Sequence, residues 1–318
     1  MLVMGVWHLS GLGLNPGAVT VPLTYIYCLL KMASGGDQNA KDFFSSSGEM
    51  NQDNTGAPEA IVLFTSKDVI EGNKKYEVRD RWFKTSKKNS EPLTITSYLS
   101  YLLKNLEGNN FKKFYVQEWL KYFFIIEVDH QNFEDCFFKI ALTVSALKDK
   151  EIWINMVGGT NQINAALLAG SGFSTIAARY YYLFQTDTKL LHLDMEKPDL
   201  KKPQLPIPIP SWQELPFFTI DMSSLYEALK DLFEHREKVH INEIKTILHT
   251  HGLSGQYLAK MRSGLINIKN EIATKGAMLD QWIKMWTKIE NEISGERNMS
   301  TWKDWAKDRG IFTEIKTF

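Results

Sequence analysis

Cysteine is scarce in this chain. Two in 318 residues, Cys28 and Cys136, exclude a disulfide scaffold. Cys28 lies in an apolar helical run and Cys136 in "FEDCFF", so both are expected in a core, as suits a reducing cytoplasm. An excess of either charge is also missing. Lys+Arg and Asp+Glu number 37 each, so no overall basic field draws the chain to nucleic acid. Any anion site must therefore be local. No apolar run reaches the roughly 18 residues of a membrane span. The nearest, "AVTVPLTYIYCLL", is short and contains Pro22, so no membrane partner is expected. The start, "MLVMGVWHLSGLG", lacks a basic region and a cleavage pattern, so no signal peptide is expected and the location reads as cytoplasmic. No Gly-x4-Gly-Lys-Ser/Thr loop occurs, and the seven histidines show no metal spacing. His249 and His251 read as a helix end. No metal or cofactor is expected.

Against these absences stands an ordinary globular composition, 44% hydrophobic and 23% charged. Short apolar runs read as buried strands at 1–8, 60–66, 122–128, 151–157 and 175–185. Helical patterns lie between them, at about 16–31, 92–106, 132–149 and after 160. This alternation predicts an α/β fold, a Rossmann-like mostly parallel sheet with helices on both faces. Residues 34–58, rich in Gly, Ser, Asn and Asp, read as a flexible insertion. "KPDLKKPQLPIPIPSW" at 197–212 holds five of the ten prolines and reads as a stiff linker. It would separate a ligand-binding domain at 1–196 from a mainly helical, winged-helix-like domain at 213–318. Helices are predicted there at 222–236, 241–250, 254–263, 265–290 and 300–309. Met278, Trp282, Met285 and Trp286 fall at helical spacing and read as core or dimer interface.

Two loops carry the functional signal. The first is "SGLGLNPG", Ser10 to Gly17; the second is "GGTNQ", Gly158 to Gln162. Each follows a predicted strand and opens a predicted helix. Glycine lets a backbone approach a ligand closely, and a helix start presents N–H groups to an anion. A tight turn with no ligand would explain either loop alone. Two in one sheet point to one crevice for an extended, phosphate-bearing ligand. A nicotinamide fingerprint is not met, because proline stands at the helix start and no acidic residue ends a second strand about 20 positions on.

"GLGLNPGAVT" and "WINMVGGTNQINAALL" resemble the two hallmark loops of the CARF family, the CRISPR-associated Rossmann-fold proteins. The likeness covers roughly residues 1–190 and departs at Asn161, where that family commonly has lysine. The resemblance implies a homodimer that binds a cyclic oligoadenylate across paired crevices. An attached ribonuclease of the HEPN type is not expected, since only three residues separate Arg236 and His240 in "HREKVH". Without an effector, the resemblance implies either a ring nuclease or a transcriptional regulator. A ring nuclease would cut cyclic tetra-adenylate without metal, using the ligand's own 2′-OH. Ser10 and Asn161 are then the expected catalytic residues, with Gly11, Gly13, Asn15, Arg81, Gly158, Gly159, Thr160 and Gln162 binding the ligand. The regulator needs a basic face for DNA, and 15 Lys/Arg against 14 Asp/Glu from Asp221 onward do not favour one. Lys260, Arg262 and Lys269 make at most a small patch.

Overall fold

The computed structural model describes residues 6–15, 17–45, 58–72, 95–96, 99, 120–147, 150–171, 177–183, 212–214, 222–253, 265–292, 299–308 and 312–314. Arg81, most of the predicted helix at 92–106, the helix at 254–263 and nearly all of the proline-rich segment lie outside these residues.

Five strands run parallel: β1 (Val6–Gly11), β2 (Pro58–Thr65), β3 (Tyr122–Glu127), β4 (Ile152–Asn155) and β5 (Ala177–Leu183). They stand in the order β3-β2-β1-β4-β5. Two short strands, β6 (Trp212–Glu214) beside β5 and β10 (Phe312–Glu314) beside β3, close the edges antiparallel. The chain is thus an α/β protein with a Rossmann-like sheet. β1 lies at the middle, and the order reverses between β1 and β4.

β-branched and aromatic residues make these strands, and their alternation splits the sheet into two faces. Helices α1 (Gly17–Ser34) and α2 (Gln38–Ser45) cover one face. Tyr25, Ile26, Leu29, Ala40 and Phe44 pack there against Trp153 and Tyr181. The other face is covered by α4 (Phe133–Ala146), α5 (Asn161–Gly170), α8 (Leu279–Glu292) and α9 (Met299–Asp308). There Trp7 stacks on Phe124 at 5.7 Å and meets Trp302 of α9 edge-on at 5.8 Å. The short helix α3 (Lys67–Glu71) follows β2.

α2 corrects the reading of residues 34–58 as an unstructured insertion, at least over 38–45. Asp37 caps this helix, accepting from the Ala40 N–H at 2.9 Å. Arg179 of β5 donates to the Phe43 carbonyl at 2.5 Å, and its guanidinium lies 4.5 Å from the Trp153 ring. That cation beside aromatic rings fastens α2 to the sheet.

Beyond β6 come α6 (Met222–Phe233), β7 (Lys238–His240), α7 (Ile241–Thr250), β8 (Ile266–Lys269) and β9 (Ile272–Lys275). β7, β9 and β8 form a three-stranded antiparallel sheet. The helix predicted over 265–290 is therefore wrong in its first part: a hairpin occupies 266–275 and the helix begins at Leu279. The reason is local. Ile266 is buried and Asn267 exposed, an alternation of period two, while Asn270 and Glu271 take positive φ at the turn. Leu225, Leu229, Phe233, Ile244, Leu248, Ile266 and Ala273 form their own core beneath it. Trp286 stacks on Tyr226 at 4.7 Å and is buried, whereas Met278 is exposed, so the stripe splits between core and surface. α8 and α9 lean on α4, so this part of the chain packs directly on the parallel sheet.

Candidate functional site

The strand order reverses between β1 and β4, and the region beyond the carboxyl ends of two such strands is where open α/β sheets form the crevice that takes ligands. The two loops singled out in the sequence are the two loops that leave β1 and β4.

β1 releases the chain at Leu12. The Leu12 N–H donates to the Phe64 carbonyl at 2.9 Å, and the buried Thr65 hydroxyl donates to the Leu12 carbonyl at 2.7 Å. The end of β2 thus holds the first loop. Gly13 is half-buried, while Leu14 and Asn15 are exposed. Asn15 caps α1, its Oδ1 accepting from the Gly17 N–H at 2.9 Å. On the other side Gly159 takes φ +88°, and Thr160 caps α5 by accepting from the Ile163 N–H at 3.4 Å. Asn161 and Gln162 follow as the exposed first residues of α5.

The glycines do more than clear room for a ligand. A Cβ on Gly11 would sit 2.7 Å from the Gly159 Cα and 2.9 Å from the Gly158 carbonyl oxygen. A Cβ on Gly158 would collide with the Gly11 carbonyl oxygen and lie 3.2 Å from the Ala18 Cβ. The two loops are therefore packed backbone to backbone, and Gly11, Gly158 and Gly159 are what that approach requires. Gly13 has nothing within 4 Å of its would-be Cβ. Its freedom faces open space.

Ser10 is not a loop residue. It is the penultimate residue of β1, paired with Leu63 on β2 and Asn155 on β4, and only 3% exposed. Its hydroxyl donates to the Gly11 carbonyl at 2.9 Å. The expected site residues therefore fall into two tiers. Gly13, Asn15, Thr160, Asn161 and Gln162 line the rim, while Ser10, Gly11 and Gly158 lie in the joint beneath it.

The electrostatics of the rim are set by helix starts and by what surrounds them. No Asp, Glu, Lys or Arg occurs between Ile152 and Ala178, nor from the chain start to Leu30. The first turns of α1 and α5 thus offer N–H groups with no neighbouring carboxylate in sequence. The turn after β3 differs. Asn132 caps α4 by accepting from Glu134 and Asp135, and Asp129 lies in the same turn. An anion is favoured on the β1–β4 side and repelled on the β3 side. Among the described residues, no group of His, Cys, Asp and Glu is placed to hold a metal ion.

Asn155, Thr65 and Pro22 were not singled out by sequence reading as parts of this site. A signal existed: an asparagine closing the buried strand "IWIN" is a polar group where an apolar one is the default, and a proline six residues inside a helix orphans a carbonyl.

No family model matches the chain. An uncharacterized protein of Archaeoglobus fulgidus is 41% identical over 322 residues, covering 98% of each chain. Among solved structures, Enterococcus italicus Csm6 bound to cyclic hexa-2'-fluoro-hexa-dAMP is similar over 78% of this chain and 49% of that one, with 11% identity and a TM-score of 0.37. This chain thus spans about half the length of that structure.

Proposed function

We propose that this chain, which belongs to the same family as the Archaeoglobus fulgidus protein, binds a cyclic oligoadenylate at the carboxyl ends of β1 and β4 and acts on cyclic tetra-adenylate as a ring nuclease. The observation that carries this reading is the meeting of the two loops. The segments that resemble the CARF hallmarks are brought into backbone contact at the switch point of the sheet. Their rim is neutral and rich in N–H donors, which suits the phosphates of an extended ligand. In a homodimer two such rims would face one ring.

Cleavage on this reading uses the ligand's own ribose 2′-OH. It attacks the adjacent phosphorus, the bond to the 5′-oxygen breaks, and the proton lost by the 2′-OH ends on that leaving oxygen. One such event opens the ring to a linear tetra-adenylate, and a second at the opposite bond gives two linear di-adenylates, each with a 2′,3′-cyclic phosphate. The protein's part is to hold the 2′-OH in line and to stabilise charge on phosphorus. On this reading Gly13, Thr160, Asn161 and Gln162 contact phosphate. Asn161 donates a hydrogen bond but brings no charge, so the reaction is slow unless Arg81 or another cation approaches. To donate to a phosphate oxygen, the Ser10 hydroxyl has to leave the Gly11 carbonyl, which ties that role to movement in the joint.

A second reading is favoured by that same burial of Ser10. The protein would then bind the ligand without cutting it and act as a transcriptional regulator. The helix–strand–helix–hairpin order of 222–275, winged-helix-like in outline, would serve as its output. A single-turnover incubation with cyclic tetra-adenylate in EDTA separates the two. Linear di-adenylate with a cyclic phosphate end supports the ring nuclease. Intact ligand that co-elutes with the protein supports the sensor, and ligand that neither binds nor is cut overturns both.

A further inference from the structure

We infer that Asn155 is a positioning residue whose single carboxamide bolts the Gly158–Gly159 loop to the first turn of α1, using a carbonyl that Pro22 leaves without a helix donor. In an α-helix the carbonyl of residue 18 accepts from the N–H of residue 22. Here residue 22 is proline, buried inside the helix, and it has no N–H. Ala18 is itself buried, so water is a poor substitute. The Asn155 Nδ2 donates to the Ala18 carbonyl at 2.8 Å. From the same carboxamide, Oδ1 accepts from the Val157 N–H at 2.9 Å.

The orientation of this amide is fixed by its partners rather than chosen. A carbonyl can only accept and an N–H can only donate, so the nitrogen must face Ala18 and the oxygen Val157. No other side chain of this size supplies both. Aspartate keeps the acceptor but sets a carboxylate against the Ala18 carbonyl. Leucine supplies neither. The bolt lies where Ala18 stands close enough to Gly158 that an added Cβ would come within 3.2 Å of its own, so one residue fixes both the start of the second loop and the entry angle of α1. These are the two walls of the crevice. Its role toward the ligand rests on the function proposed above; its role in joining the loops does not.

The test is amide exchange on the full-length protein, with and without cyclic tetra-adenylate. Asn155→Ala is expected to speed exchange at Val157 and in the first turns of α1 by at least about tenfold. Asn155→Asp is expected to keep protection at Val157 and lose it in α1, because only the acceptor survives. Pro22→Ala returns a helix donor to Ala18, so the Asn155→Ala, Pro22→Ala double variant is expected to recover most of the α1 protection but none at Val157. Should Asn155→Ala fail to fold, Asn155→Asp and Pro22→Ala carry the same comparison. Unchanged exchange at both places, or an Asn155 effect indifferent to Pro22, overturns the inference. With ligand, both Asn155 variants are expected to release cyclic tetra-adenylate about tenfold faster. If the wild-type protein binds no oligoadenylate yet the exchange pattern holds, the bolt stands and the ligand reading falls. If the wild-type protein binds and the variants bind equally well despite altered exchange, Asn155 does not position the site.

Discussion

β1 sends Trp7 and Leu9 to one side of the sheet and His8 and Ser10 to the other, and the two sides are different in kind. Toward α4, α5, α8 and α9 the strands present mostly apolar residues, among them Leu9, Val62, Phe64, Phe124 and Ile154, in one continuous cluster. Toward α1 and α2 they present buried His8, Ser10, Asn155, Arg179 and Tyr181. The His8 Nδ1 and the Tyr181 hydroxyl are 3.5 Å apart, Arg179 holds α2, and Asn155 holds α1. Glu151, beside this face, is pushed above the usual carboxylate range by burial, with the Trp153 indole N–H and Arg179 pulling it back. The apolar face supplies stability through area and packing, which many residue combinations can match. The polar face supplies geometry, because each buried polar group demands a particular partner. The crevice lies where the two faces meet, with α1 on the polar side and α5 on the apolar side, and the polar face supplies the buried Ser10 and Asn155 of its joint.

That contrast can be broken at its strongest point first. Gly158→Ala puts a methyl group into the Gly11 carbonyl, and we expect a loss of about 4 kcal/mol in chemical denaturation. Leu9→Ala, on the apolar face, is expected to cost about 3 kcal/mol through its cavity. Its signature is different: under folding conditions ligand affinity stays within about twofold of wild type, whereas for Gly158→Ala it is lost. Asn161→Lys sharpens the comparison by adding the charge that the rim lacks. It should tighten binding or speed cleavage of cyclic tetra-adenylate by about 10- to 100-fold, and no gain in either would show that this position does not reach phosphate. Cys136, in the apolar cluster, is pushed up to about 11 chiefly by burial, with Asp135 and Asp129 adding to the shift. A raised acid stabilises the fold below its unfolded value and loses that contribution as pH climbs through the folded one. Stability should therefore fall by about 2 kcal/mol between roughly pH 9 and 11, and Cys136→Ala should remove that part of the curve. The smallest change expected is Gly13→Ala, under about 0.5 kcal/mol in the same denaturation measurement, since its side chain would meet nothing.

Much of this polar face was invisible in the sequence, while the strands that carry it were plain. "YFFIIE" and "EIWIN" announce buried strands through composition alone, and the loops after β1 and β4 announce helix starts through glycine, threonine and asparagine. The order of the strands is another matter. It depends on pairing between residues 52 and more positions apart, such as Trp7 with Ala60 and with Ile152, which no local pattern encodes. The hairpin at 266–275 reads as helix in the sequence because three isoleucines within seven residues fit either period, and the turn at Asn270–Glu271 lacks the glycine that usually marks one. α2 reads as insertion in the sequence because it is short and sits among polar residues. The glycines were legible as unusual, but not the reason for them: that one loop presses on another appears only once both are in place. Asn155 was hidden for the same cause. Its partner is a carbonyl, which every residue has, and what makes Ala18 special is a proline four positions later.

β10 gives the sheet a schedule as well as an edge. β3 is among the most apolar strands, with Phe123, Phe124, Ile125 and Ile126 all buried, and its outer side is covered by residues 312–314. On the ribosome that side waits through almost two hundred further residues before its neighbour is made. Trp302, which leans on Phe124 at 4.5 Å, comes nearly as late. A nascent chain arrested or clipped before residue 312 therefore carries an open strand edge, and one stopped before residue 302 also an unfilled aromatic pocket, which invites other chains to pair with it.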